Sequence, residues 1–180
     1  MRIHILGASG SGTTTLGQAL AAELQVRHLD ADHFYWKRTD PPFTTKIPPD
    51  IRQQNMIEAF RQQSDVVVSG SMVSWGDYWH TAFDMVVFIH IPPELRMERL
   101  RKREFQRYGS VIYDDPERNR QYLAFMEWAA QYDDPAFTGR SFRIHQEWME
   151  KVSCPVLRIT GDTSVQHRVN RVKAFIAEMD

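Results

Sequence analysis

Nine consecutive residues near the N-terminus have the types and spacing to hold phosphate: Gly7-Ala8-Ser9-Gly10-Ser11-Gly12-Thr13-Thr14-Thr15. The phosphate-loop pattern is G-x-x-x-x-G-K-[ST]. Gly7 and Gly12 match it, and Thr14 occupies the hydroxyl position that serves Mg²⁺. Thr13 stands where the pattern has lysine. Glycines at 7, 10 and 12 permit backbone conformations that other residues avoid. Successive N–H groups can then converge on one anion, and the N-terminus of a following helix adds partial positive charge. The hydroxyls of Ser9, Ser11, Thr13, Thr14 and Thr15 lie within the same stretch. What is lacking is the ammonium that reaches the outer phosphates. The same glycines would also serve an ordinary strand-to-helix turn. An apolar strand before them and an amphipathic helix after them favour phosphate binding.

Other groups able to do chemistry recur at the ends of apolar runs. Asp30 and Asp32 follow the second run, and Ser69-Gly70-Ser71 follows the third. Arg99 and Arg103 are four apart on one helical face, which Arg96 joins. Arg140 and Arg143 stand three apart at a helix start. Arginine suits phosphate because its planar fork binds it bidentately and stays charged. Lys37, Arg38, Lys46 and Arg52 surround the prolines Pro41-Pro42 and Pro48-Pro49. Trp75, Tyr78 and Trp79 fit either a pocket wall or the core.

These residues need elements to position them. Strand signals run over Arg2–Leu6, Val26–Leu29, Asp65–Ser69, Met85–Ile91 and Val156–Thr160. Helical signals run over Thr14–Leu24, Ile51–Gln63, from Pro93 through the arginine-rich stretch, Pro116–Gln131, Phe142–Val152 and Val165–Met179. Short β-branched strands alternating with helices predict a three-layer α/β/α fold around a five-stranded parallel sheet. Such sheets bind ligands beyond the carboxyl ends of their strands, which is where Gly7, Asp30, Gly70 and Gly161 fall.

Composition narrows the function classes. The 180 residues fit one domain, 42% are hydrophobic and 25% charged. A net charge of −1 gives no basic signature for nucleic acid. The longest apolar run is too short to span a bilayer. One cysteine, Cys154, excludes an internal disulfide or a multi-cysteine zinc site. A reducing cytoplasm is the expected location.

The loop resembles the opening of the P-loop NTPase superfamily, in its nucleoside and small-molecule kinase branch. The chain resembles small adenylate-kinase-like proteins, including those called DNA topology modulation proteins. The matching residues are Ser9-Gly10-Ser11-Gly12, the acidic-aromatic stretch Asp30-Ala31-Asp32-His33-Phe34-Tyr35-Trp36, and Ser74-Trp75. The resemblance implies one kinase-like domain over 1–180, with an acceptor-site insertion at about 33–63 and a helical lid at about 104–140. It implies ATP and Mg²⁺ as cofactors, with Thr14 and Asp30 at the metal and Asp32 receiving the acceptor's proton or binding the acceptor. Arg99 would stack on the donor base and Arg103 reach phosphate. Asp133-Asp134 followed by Thr138-x-Arg140-x-x-Arg143 is similar to the segment that closes adenylate-kinase lids. Arg140 and Arg143 would then meet the transferring phosphate and make up for the absent lysine. Gly161 and Asp162 resemble the loop that packs on adenine.

The activity so implied is transfer of the ATP γ-phosphoryl group to a small acceptor. A nucleoside monophosphate, a nucleoside or a small metabolite all fit. Thr13 supports a rival, a nucleotide-binding sensor or interaction protein without turnover, whereas the arginine set supports catalysis. Binding of nucleic acid or membrane is not expected, and the sequence assigns no oligomeric state.

Overall fold

The period-two patterning of the apolar strands is resolved into two buried faces. In the computed structural model, which describes residues 1–179, the strands are β1 (Arg2–Gly7), β2 (Arg27–Asp30), β3 (Val66–Ser69), β4 (Met85–His90) and β5 (Val156–Thr160). All pair in parallel, in the order β2-β3-β1-β4-β5. Ile3, Ile5, Val67, Val87 and Ile89 face one side, packing on Leu16, Leu20, Val169 and Val172. Leu6, Val66, Val68, Val86 and Phe88 face the other, packing on Met56, Phe60, Trp148 and Met149. Helices α1 (Thr13–Leu24) and α8 (Val165–Met179) therefore cover the first face. Helices α3 (Pro49–Arg61) and α7 (Phe142–Met149) cover the second. Such two-sided burial is why these strands read as continuous apolar runs. The expected three-layer α/β/α fold is the observed one.

Between β4 and β5 the chain adds α4 (Pro93–Tyr108), α5 (Val111–Asp114) and α6 (Pro116–Ala130). Leu100, Met126 and Ala129 form a small core of their own there. Beneath it lies Arg96, 1% exposed, which donates to the Ala129 carbonyl and pairs with Asp133 at 2.5 Å. This buried pair ties the C-terminal end of α6 back to α4.

One short helix, α2 (Ala31–Tyr35), carries no helical signal in the sequence. The Asp30 carboxylate starts it, accepting from the Asp32 N–H at 3.0 Å. Five residues carry too little periodicity to announce a helix by themselves.

Candidate functional site

Gly12 shapes the loop after β1. It takes φ = +93° at the N-cap of α1, a conformation that L side chains rarely adopt. Gly7 is needed for another reason: a Cβ there would lie 2.5 Å from the Ile89 carbonyl oxygen. The first helical bond of α1 runs from Leu16 N–H to the Gly12 carbonyl, and no side chain caps the helix. The N–H groups of Thr13, Thr14 and Thr15 are thereby left to the loop mouth. Ser11 Oγ is buried without a partner. From behind, Arg168 is 3% exposed and donates from Nη1 to the Ser11 carbonyl at 2.8 Å. Its Nε donates to Thr163 Oγ1 at 3.0 Å. Free amides, an orphaned hydroxyl and a buried guanidinium form a cradle that fits phosphate.

Beside the loop opens a cavity of about 1020 Å³. Ser9, Asp32, Ser71, Arg103 and Arg140 all line it. Arg140 Nη2 donates to Ser9 Oγ at 2.8 Å, and its guanidinium lies 4.9 Å over the Trp128 ring. Burial lowers Arg140 from its ordinary pKa, while nearby Asp32 acts against that shift. Asp32 is displaced upward, first by the protein walls around it and next by Asp30. Arg140, Arg103 and Arg107 pull it the other way. Its side chain is still open to the cleft, so it is an accessible carboxylate inside a confining wall. Arg103 donates to Glu104 through both Nε and Nη2, at 3.0 and 2.8 Å.

The remaining candidates occupy two other places. Arg99 pairs with Asp162 at 2.6 Å, which joins α4 to the turn after β5, where Gly161 takes φ = +81°. Arg143 lies outside the cavity lining, exposed, and pairs with Glu147 at 2.5 Å. Its separation from Arg140 has a local cause. Ser141 caps α7, so Arg140 precedes the helix and does not share its i,i+3 face. Trp79 is core, fully buried, whereas Trp75 touches the cavity from the core side.

A family model described as an AAA domain matches residues 3–121. The chain belongs to that family, in the nucleotide and small-molecule kinase branch of the P-loop NTPases. It is 43% identical over 175 residues to "Uncharacterized protein YqaC" of Bacillus subtilis (strain 168), covering 97% of each chain. It is 28% identical over 120 residues to the cytidylate kinase of Methanocorpusculum labreanum, covering 58% of this chain and 63% of that one. The shikimate kinase from Acinetobacter baumannii in complex with shikimate shares the fold, at a TM-score of 0.60 and 18% identity. That likeness covers 99% of this chain and 94% of the other. The chain thus shares its fold with small-molecule kinases.

Several residues of the site carry no sequence signal. Arg168 looks like an ordinary helical arginine until α8 folds against the loop. Arg107 and Arg118, which also line the cavity, look like solvated charges. His145 looks like one position of an amphipathic stripe.

Proposed function

We propose that the protein transfers the γ-phosphoryl group of ATP to a small acceptor held in the cavity. The observation that carries this reading is the Arg140–Ser9 contact, which sets a guanidinium at the mouth of the phosphate loop and beside Asp32. In this reading the loop amides, with Ser9, Ser11 and Thr13 to Thr15, hold the phosphates. Arg99, Gly161 and Asp162 flank the base. Arg140 and Arg103 stabilise charge on the moving group, where lysine is absent. Arg143 would need to leave Glu147 to join them. Asp32 accepts the proton of a hydroxyl nucleophile or, where the nucleophile is a phosphate oxygen, binds the acceptor.

Mg²⁺ fits the hard oxygens of Thr14 and Asp30, the latter using Oδ1 for its cap. When bound, the ion would neutralise charge on the outer phosphate oxygens. The segment at about 33–63 walls the acceptor side, and 104–140 acts as lid. A cytoplasmic location accords with use of ATP. No helix among the described residues is long and apolar enough to cross a membrane.

The acceptor is anionic and carries a flat face. Arg52, 7% exposed, does not itself line the cavity but lies over two rings that do, 4.2 Å from that of Tyr35 and 5.2 Å from that of Trp75. It pairs with no carboxylate among the described residues. Lys46, Arg107 and Arg118 add positive charge to a wall that includes Trp36 and Phe43. A nucleoside monophosphate meets both demands better than a neutral polyol.

Thr13 favours a second reading, a nucleotide sensor without turnover. An ATP/Mg²⁺ assay with cytidine monophosphate or shikimate as acceptor separates the two. Turnover supports the kinase. Tight ATP binding by calorimetry with no transfer to either acceptor supports the sensor. In both readings a folded Gly12→Val protein loses nucleotide affinity, and unchanged affinity would put the nucleotide elsewhere.

A further inference from the structure

The cavity wall carries a buried hydrogen-bonded chain that phosphoryl transfer, as described above, does not use. Ser71 follows Gly70 directly after β3 and lines the cavity. Gly70 packs against Ala31, the neighbour of Asp32, since a Cβ on Gly70 would lie 3.0 Å from that of Ala31. Ser71 Oγ is 2.9 Å from His145 Nε2. His145 Nδ1 is in turn 2.7 Å from the Tyr132 hydroxyl. His145 and Tyr132 are 0% and 3% exposed, and Phe88 and Phe142 pack around them.

His145 is neutral. Burial, and after it the Arg140 charge, hold its pKa well below the ordinary value. A neutral imidazole has one N–H and one bare nitrogen, so the chain can run in two directions. In one, Ser71 donates to Nε2 and Nδ1–H donates to the Tyr132 oxygen. The phenolic proton then has no acceptor among the described residues, and a buried donor left unpaired is costly. In the other, the Tyr132 hydroxyl donates to Nδ1 and Nε2–H donates to Ser71 Oγ. Every proton within the chain is then used, and the proton of Ser71 turns to the cavity.

We infer that the Tyr132–His145–Ser71 chain runs one way and fixes Ser71 as a hydrogen-bond donor to the phosphoryl acceptor. Ser71 supplies the contact, while His145 and Tyr132 are positioning residues. Ser71 thereby complements Asp32, which accepts. The pair selects an acceptor that places a hydroxyl at Asp32 and an oxygen lone pair, as of a carboxylate, phosphate or ether, at Ser71. A group that offers only N–H donors at that second point leaves the Ser71 proton without an acceptor and is disfavoured.

The direction of the chain is readable without substrate, although the role of Ser71 rests on the kinase reading. Long-range ¹H–¹⁵N spectra of the free protein should show His145 protonated at Nε2 and bare at Nδ1. Protonation at Nδ1 would overturn the inference. In the ATP/Mg²⁺ assay with cytidine monophosphate or shikimate, Ser71→Ala should lower acceptor kcat/KM by about 10- to 100-fold. The KM for ATP should not move, and Ser71→Thr should restore activity. Tyr132→Phe should lower acceptor kcat/KM less, and should add nothing in the Ser71→Ala background. Additive losses, or no loss in Ser71→Ala, would also overturn it. If the unsubstituted protein uses neither acceptor, the kinase reading fails for both, and the imidazole spectrum alone decides the chain.

Discussion

Arg140 donates to Ser9 Oγ across 2.8 Å, although the two residues lie 131 positions apart in the chain. One comes from the loop after β1 and the other from the turn before α7. Their contact places a charged fork against Ser9, in the loop that carries Thr13 where the phosphate-loop pattern has lysine.

If Arg140 supplies that missing charge, its removal should cost more in rate than in nucleotide affinity. Arg140→Ala should lower turnover about 10³-fold, the scale of arginine fingers. Arg140→Lys should recover part of it, because charge returns without the bidentate fork. Thr13 is partly exposed at the start of α1, so Thr13→Lys should leave the fold intact. In the Arg140→Ala background it should restore some turnover. Steady-state kinetics on the four proteins, with circular dichroism for folding, checks the set.

Asp32 predicts a displaced acid limb. Its pKa is raised by the surrounding walls and then by Asp30, so it stays protonated to a higher pH than an ordinary aspartate. A base must be ionised to accept a proton. Turnover should therefore fall as pH drops through the raised value, which lies above the ordinary 3.8. Asp32→Asn should lower the rate and remove that limb. Asp30→Asn should chiefly weaken Mg²⁺ dependence. A pH–rate profile of each variant, repeated across Mg²⁺ concentrations, separates the two roles.

Much of the fold is legible in the sequence because two-sided burial leaves unmistakable runs. Val66-Val67-Val68 has every side chain buried, alternately on the two faces. The phosphate loop is legible for a similar reason: its glycines answer to local backbone geometry. The cavity is less so. Arg96 and Arg99 sit three apart on one helix, yet one is buried against Asp133 and the other pairs with Asp162. Their fates depend on segments more than 30 positions away. Helical spacing gives the face and not the partner. Arg168 and His145 belong to the same class, since each acquires its role from a distant element.

His4 makes the fold acid-sensitive. It is wholly buried on β1, stacked on Phe83 at 4.8 Å, and burial lowers its pKa from 6.5 to about 3. Below pH 6.5 the unfolded chain binds a proton there and the folded chain does not. Stability present at neutral pH is thus lost as pH falls from 6.5 toward about 3. By pH 4.5 the loss is about 3 kcal/mol from this group. His4→Leu should shrink the difference in urea midpoint between pH 7 and pH 4.5. An unchanged difference would assign the acid sensitivity to other groups.

The segment from about 104 to 140 should not move as one body. Its far end is anchored, since Arg96 holds the Ala129 carbonyl and the Asp133 carboxylate from a buried position. Breaking such a pair costs about 3–5 kcal/mol, so it is a poor hinge. The near end is freer. Gly109 takes φ = +70°, and no atom lies within 4 Å of where its Cβ would stand. Just before it, Tyr108 donates to the Pro42 carbonyl at 3.1 Å, and Arg107 lies 4.2 Å over the Phe43 ring. These contacts reach across the cavity to the proline-rich insertion. The mobile part should therefore be α5 with the first turns of α6, swinging from Gly109 and latching onto this fixed platform through Arg118, which lies 4.7 Å over the Tyr108 ring. Closing it would exclude water and favour transfer to the acceptor over hydrolysis. Hydrogen exchange with ATP, Mg²⁺ and cytidine monophosphate should show new protection across about 108–122. Residues 126–134 should be protected already without ligand. Equal protection of both stretches in both states would mean a fixed cover. A uniform gain over 104–140 would instead mean that the Arg96–Asp133 anchor opens with the rest.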